Sequence, residues 1–146
     1  RWQPQRVLVL GDLIHGPLGL SQALRQKLSA LPELLRCPLE LVEGNHERGS
    51  WLQGLPAGPS RQVGPLWLSH EPESPGPSDL LNICGHLHPV ASLGGGADRL
   101  RLPCFALDRH QQRLLMPAFG DLTGGHPCAS QLERWVIAEH CVLRLP

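Results

Sequence analysis

Residues 39–46 of the chain, Leu-Glu-Leu-Val-Glu-Gly-Asn-His, join a short apolar segment to a polar end. The first four residues predict a buried strand, and the polar residues follow where that strand ends. Residues 6–12, Arg-Val-Leu-Val-Leu-Gly-Asp, show the same pattern. Between the two segments, Ser21 can cap a helix whose apolar positions recur with a period of 3.6, and Pro32 limits or restarts that helix. The order strand, helix, strand predicts a β-α-β unit of a parallel sheet.

The rest of the chain predicts mostly strands separated by loops rich in glycine and proline. The predicted strands cover residues 63–69, 80–84, 99–107, 113–118, 134–138 and 141–143, and the last two form a hairpin that turns at residues 139–140. The first of these strands ends at His70, and the second ends at Gly85-His86-Leu87-His88. An α/β beginning followed by a mostly β remainder predicts the α/β fold class.

Composition sets limits on the class of protein. A length of 146 residues predicts one domain, residues 1–146. The 13 basic and 13 acidic residues cancel, which excludes a strongly basic nucleic-acid arm and an acidic tail but not local patches. No apolar run reaches the roughly 18 residues of a spanning helix, so no membrane partner is expected. The odd cysteine count of five, with no Cys-x-x-Cys pair and no secretory signal, favours reduced thiols and a cytoplasmic location.

Polar side chains follow the carboxyl ends of four predicted strands. They are Asp12, Asn45 with His46, His70, and His86 with His88. Open α/β sheets bind their ligands at this edge. Carboxylate, amide and imidazole donors suit Mn²⁺, Fe or Zn²⁺ better than a metal that prefers thiolates. A carboxylate can bridge two cations, and two cations roughly 3.5–4 Å apart can clamp the oxygens of an in-line phosphoryl displacement.

Four motifs resemble, in order and spacing, the motif series of the calcineurin-like metallophosphoesterase superfamily. They are Gly11-Asp12, Gly44-Asn45-His46-Glu47, His70 and Gly85-His86-Leu87-His88. The resemblance implies two packed, mostly parallel or mixed β-sheets flanked by helices, the αββα sandwich of that superfamily. It also implies hydrolysis of phosphate esters at a dinuclear metal site.

A narrower resemblance points to the DNA-ligase-associated branch of this superfamily. It rests on Gly11-Asp12-Leu13-Ile14-His15-Gly16, Gly85-His86-Leu87-His88-Pro89, and Pro117-Ala118-Phe119-Gly120 with Thr123-Gly124-Gly125. That branch is described as a DNA-damage-response endonuclease or phosphodiesterase encoded near an ATP-dependent DNA ligase and a helicase. The resemblance therefore implies DNA as the substrate and a functional link to those two enzymes in DNA repair.

The superfamily's residue roles transfer only to matching positions. The resemblance implies that Asp12 bridges two divalent cations, with Mn²⁺ expected and Fe or Zn²⁺ as alternatives. It implies that Asn45, His70 and His86 complete one metal site, that His88 binds the other metal, and that His46 contacts the phosphate and assists the leaving group. Residues that bind the rest of the substrate are not assigned.

One superfamily motif is missing. The first Asp-x-His is absent upstream of Gly11, where only ten residues precede it. Two explanations stay open: a fragment that lacks its first strand and motif, which the start at Arg1 favours, or a degenerate form with one metal. The chain's own Asp-x-His, Asp108-Arg109-His110, is interpreted as a hairpin turn.

Two other functions remain open beside the DNA-directed enzyme. One is a small-molecule phosphodiesterase or phosphatase with the same site, which a groove of Arg or Lys beside the metals would argue against. The other is a degenerate, catalytically inactive binding module. Among further residues, His15 is a candidate for orienting a ligand, Trp51 is the better candidate for substrate contact, and Trp67 is expected in the core.

Overall fold

The computed structural model describes residues 3–14, 20–46, 55, 57–74, 79–120 and 123–146. Their helices are α1 (Gln22–Ser29) and α2 (Leu31–Leu35), with a 3-10 turn at Gly96–Asp98. Their strands are β1 (Val7–Val9), β2 (Leu39–Val42), β3 (Ala57–Gly58), β4 (Arg61–Val63), β5 (Leu66–Ser69), β6 (Leu81–Cys84), β7 (Pro89–Leu93), β8 (Leu100–Asp108), β9 (Arg113–Leu115), β10 (His126–Pro127), β11 (Glu133–Ala138) and β12 (Cys141–Arg144).

The first sheet is the predicted β-α-β unit with one strand added. β1 pairs in parallel with β2, Val7 lying opposite Leu39, and β3 joins β2 on its other edge. The Ser21 side chain caps α1 by accepting a hydrogen bond of 3.2 Å from the Leu24 backbone N–H. Pro32 lies in the first turn of α2, where its missing N–H costs nothing, so the helix restarts there as expected.

The second sheet is larger and mixed. Its strands run in the order β10-β7-β8-β9-β6-β5-β4, with β11 paired to β8 and to β12. β5, β6 and β9 are parallel neighbours, whereas β8 runs antiparallel to both β7 and β9. The predicted fold class, α/β with two mostly parallel or mixed sheets, is confirmed.

Two predicted strands have different bounds in the structure. The single strand predicted over residues 63–69 is a hairpin of β4 and β5, because Gly64 adopts a left-handed φ of 57° ahead of Pro65 and turns the chain. The strand predicted over residues 113–118 ends at Leu115, shortly before Pro117. β7 and β10 were not predicted, since β7 starts on a proline and β10 has only two residues.

The core of the large sheet consists of small and aliphatic side chains. One cluster contains Cys84, Ala106 and Leu115, and a second contains Ala91, Cys104 and Val136. Cys84 is fully buried, as its apolar run predicts. The terminal hairpin of β11 and β12 is also confirmed, with its turn at residues 139–140. Among the described residues, no helix combines the length and hydrophobicity needed to span a bilayer.

Candidate metal centre

Four strand ends meet where the two sheets face each other. Asp12 and Asn45 follow the parallel neighbours β1 and β2 of the small sheet. His70 and His86 follow the parallel neighbours β5 and β6 of the large sheet, where Ser69 lies opposite Cys84. Because carboxyl ends of parallel strands share one edge, each sheet brings its own pair of polar residues to the junction.

His70 is the centre of this arrangement. Its side chain is only 4% exposed, and its Nδ1 lies 2.8 Å from the Leu10 carbonyl oxygen. A carbonyl only accepts hydrogen bonds, so Nδ1 is the donor and the neutral ring carries its lone pair on Nε2. That Nε2 lies 2.9 Å from Asn45 Oδ1, 3.4 Å from Asp12 Oδ2 and 3.0 Å from His86 Nδ1.

This donor set fits a divalent cation. The His70 lone pair faces the Asn45 amide oxygen and the Asp12 carboxylate, and a divalent cation can be bound by all three of these groups. Ligand atoms of Asp12, His70 and His86 lie within 4.8 Å of one another. Metal-binding histidines commonly donate their second N–H to a backbone carbonyl, as His70 does to Leu10. Oxygen and imidazole ligands suit Mn²⁺, Fe or Zn²⁺.

The backbone holds three of the predicted ligands in an unusual conformation. Asp12, His86 and His88 have φ values of 52°, 55° and 44°, in the left-handed region that side chains other than glycine rarely adopt. The other described non-glycine residues with positive φ lie at the end of α2 or in hairpin turns, at Arg36, Gln112 and Glu139. Strain of this kind costs about 1–3 kcal/mol per residue and concentrates at functional sites.

Gly11 is required by the approach of His70. A Cβ at this position would lie 2.3 Å from His70 Nδ1 and 2.9 Å from the Cα of Gly44, and its φ is +81°. Gly85 lies next to Leu10 in a similar way, with its ideal Cβ 3.1 Å from the Leu10 carbonyl oxygen. The glycines that precede the predicted ligands thus allow the strand ends to come together.

His46 lies at the edge of the cluster. Its backbone N–H donates to Asp12 Oδ1 at 3.1 Å, and its Nε2 lies 3.8 Å from Asp12 Oδ2. About one third of its side chain (35%) is exposed. The structure therefore places this ring beside the Asp12 carboxylate, within reach of solvent and of a bound molecule.

His88 lies outside the group of three mutually close ligands found in the described residues. Its electrostatic environment nevertheless includes that group. Burial, followed by the proximity of His86, lowers the pKa of His88, and the Asp12 carboxylate opposes this shift. The structure thus brings Asp12, Asn45, His70 and His86 into one cluster and leaves His88 adjacent to it.

The remaining candidates divide clearly. Asp108-Arg109-His110 forms the expected turn, in which Asp108 Oδ1 accepts a hydrogen bond from the Gln111 backbone N–H and Arg109 pairs with Glu133. Trp67, which was expected in the core, is instead only half-buried, and its Nε1–H donates to Glu73. His15, Glu47 and Trp51 lie outside the described residues. Sequence reasoning missed the Leu10 carbonyl that orients His70, since a backbone group has no signal of its own in the sequence.

Comparison with known proteins gives a structural match. No protein-family model and no curated protein matches the chain. Among solved structures, the chain is similar to the crystal structure of Pseudomonas putida nuclease MPE, with a TM-score of 0.80 and 29% sequence identity. The match covers 97% of this chain and 71% of that chain. Nearly the whole chain therefore shares its fold with that nuclease.

Proposed function

We propose that this protein is a metal-dependent hydrolase of phosphodiester bonds, acting on DNA, of the DNA-ligase-associated branch of the calcineurin-like metallophosphoesterases. The observation that carries the proposal is the convergence of acceptor atoms from Asp12, Asn45 and His70 on one point beside His86. The similarity to a nuclease over nearly the whole chain supports it. The proposal takes residues 1–146 as one domain.

In this proposal two divalent cations, Mn²⁺ in the first place, bind at the junction of the sheets. Asp12 would be shared by the two cations, Asn45, His70 and His86 would hold one of them, and His88 would belong to the site of the other. Bound divalent cations neutralise the charge of a phosphodiester and activate water for in-line displacement.

The chain's own residues position and protonate the substrate. His70, fixed by Leu10, keeps its Nε2 lone pair directed at the site. The His46 backbone N–H orients the Asp12 carboxylate, and the partly exposed His46 ring can donate a proton from Nε2 to the departing oxygen. His46 is therefore the catalytic residue of the proposal.

A nucleic-acid substrate is supported by the nuclease neighbour rather than by charge, because the net charge of the chain is zero, and DNA in particular rests on the sequence resemblance. The functional link to an ATP-dependent ligase and a helicase, the role in DNA repair and the cytoplasmic location rest on sequence resemblance and cysteine usage. They belong to the proposal as predictions.

Substitution of His46 tests the assigned role. We expect His46→Ala to lower turnover of bis(p-nitrophenyl) phosphate and of an oligonucleotide by about 10²–10⁴-fold, the usual contribution of a general acid. Its metal content, measured by elemental mass spectrometry, should stay within error of the unmodified protein. His110→Ala, at an exposed turn position, is the matched control and should change neither quantity.

The outcomes separate the competing functions. Loss of metal in His46→Ala would show that this residue is a ligand rather than a proton donor. Hydrolysis of the small ester without cleavage of DNA would favour the small-molecule phosphodiesterase. An unmodified protein that takes up no Mn²⁺ and hydrolyses neither substrate would overturn the proposal in favour of a binding module.

A further inference from the structure

The segment that follows β9 passes beside the ligand-bearing residues twice. It leaves the sheet at Met116, whose N–H donates to the Cys84 carbonyl at 2.8 Å. It returns at His126, whose N–H donates to the His88 carbonyl at 3.0 Å. We call its described residues, 116–120 and 123–125, the rim loop. Both ends of the rim loop therefore lie against the segment that carries His86.

The rim loop presents an aromatic ring to solvent. Phe119 is 107% exposed, more than any other large hydrophobic side chain of the described residues. Burying an aromatic side chain contributes about 1.5–3 kcal/mol to stability, and the exposed Phe119 ring does not make this contribution. A single exposed hydrophobic residue is ordinary, so what matters more is that Phe119 belongs to a loop whose two ends are hydrogen-bonded to the segment carrying His86 and His88.

A cationic side chain is fixed at the returning end of the rim loop. The Arg101 Nη2 donates to the Gly125 carbonyl at 2.8 Å, and the side chain remains exposed. Gly125 packs directly on His88, because an added Cβ would lie 2.6 Å from the His88 carbonyl oxygen. The guanidinium thus contacts Gly125, and Gly125 in turn packs against the segment that carries His88.

The contacts of Arg101 differ from those of the ion-paired arginines. Arg6 and Arg61 pair with Glu40, and Arg109 and Arg144 pair with Glu133. The hydrogen bonds of Arg101 and of its neighbour Arg99 go instead to a backbone carbonyl and to a serine hydroxyl. These neutral partners leave the positive charge available to an anion.

We propose that Phe119 and Arg101 are substrate-binding residues, Phe119 stacking on a base of the bound strand and Arg101 contacting a backbone phosphate. Aromatic stacking beside a cationic track is a common way in which proteins hold nucleic-acid strands without reading their sequence. The inference rests on the nuclease function proposed above. It adds the strand-binding surface on the β10 side of the metal cluster.

The test compares two labelled 12-nucleotide strands, oligo(dT) and an abasic strand with the same backbone, by fluorescence anisotropy. An Asp12→Asn background prevents cleavage during the measurement. We expect Phe119→Ala to weaken binding of oligo(dT) at least about fivefold, since stacking is worth about 1–3 kcal/mol per base, and to leave binding of the abasic strand unchanged. Arg101→Gln should weaken both strands and lower the slope of log affinity against log salt by about 0.7.

Matched controls come from surfaces remote in sequence from the rim loop. Leu34→Ala removes another exposed hydrophobic side chain, 75% exposed on α2, and Arg144→Gln removes a cation that pairs with Glu133. Neither should change the affinity for either strand.

Equal losses on both strands in Phe119→Ala, or an unchanged salt slope in Arg101→Gln, would overturn the inference. So would a change of oligomeric mass in Phe119→Ala with unchanged strand affinity, which would make the ring a protein interface. If the unmodified protein cleaves no nucleic acid while strand binding still depends on Phe119, the inference stands and the proposed hydrolysis is refuted. DNA cleavage at an unchanged rate in both Phe119→Ala and Arg101→Gln would sustain the proposed hydrolysis and refute the inference.

Discussion

Gly11→Ala probes the structure where the two sheets approach each other. The added Cβ would lie 2.3 Å from Nδ1 and 2.6 Å from Cγ of His70. The ring is buried and held by its hydrogen bond to Leu10, so it has little freedom to move away. On the other side the Cβ would lie 2.9 Å from the Gly44 Cα, which is backbone.

Two costs add at this position. A side chain at a φ of +81° is strained by about 1–2 kcal/mol. Overpacking of a close contact costs a further 1–3 kcal/mol or so. We therefore expect Gly11→Ala to lower the free energy of unfolding by about 2–5 kcal/mol, a large part of the roughly 5–15 kcal/mol that stabilises a typical domain.

Urea denaturation measures this loss, and two control glycines separate its causes. Gly64→Ala keeps the left-handed φ but meets no atom within 4 Å, so it should show the strain alone. Gly95→Ala meets no atom and has an extended φ of −155°, so it should be neutral or slightly stabilising. Metal content should fall only in Gly11→Ala, because only there does the Cβ displace a ligand ring.

A Gly11→Ala protein no less stable than Gly64→Ala, with undiminished metal content, would refute this reasoning. It would show that the His70 ring does not lie against Gly11 in solution. The close approach of the two sheets would then be wrong as well.

Three further predictions concern the large sheet. Burial raises the pKa of Cys84 to about 11 and that of Cys104 to about 12, so a thiol reagent at pH 8 should label exposed Cys141 rapidly and the other two only after unfolding. These folded-state pKa values exceed the unfolded value of 9.0, so the contribution of the two thiols to stability is complete below pH 9 and is lost as pH rises toward 11–12. A urea midpoint that stays constant up to pH 11 would contradict this prediction. Asp108→Ala removes the acceptor for the Gln111 N–H and should cost about 1 kcal/mol. Its metal content should be unchanged, and a loss of metal would reveal Asp108 as a ligand.

The sequence predicted which residues meet because the carboxyl ends of neighbouring parallel strands lie at the same edge of a sheet. Once residues 6–10 and 39–42 are strands of one parallel sheet, Asp12 and Asn45 must share an edge, and the same argument brings His70 next to His86. This reasoning needs only short apolar runs and the residues that follow them. It therefore identified the contributors to the cluster without any knowledge of how the two sheets pack.

Other features depend on contacts between distant parts of the chain. The strand β10 consists of two exposed residues and forms because His126 pairs with Pro89 of the neighbouring strand β7. The Leu10 carbonyl orients His70 from 60 positions away along the chain. The left-handed backbone of His86 and His88 likewise leaves no trace in residue type, since most histidines adopt ordinary conformations.

The division of the cluster between sheets has a consequence for folding. Asp12 and Asn45 belong to the small sheet, and His70 and His86 belong to the large one. A cation held by all four side chains would act as a noncovalent cross-link between the two sheets, in addition to the His70–Leu10 hydrogen bond and the Arg61–Glu40 ion pair that already join them. At a free concentration 100 times its dissociation constant, a ligand that binds only the folded state adds about 2.7 kcal/mol to stability. The supply of metal in the cell would then govern how cooperatively the small sheet unfolds with the large one.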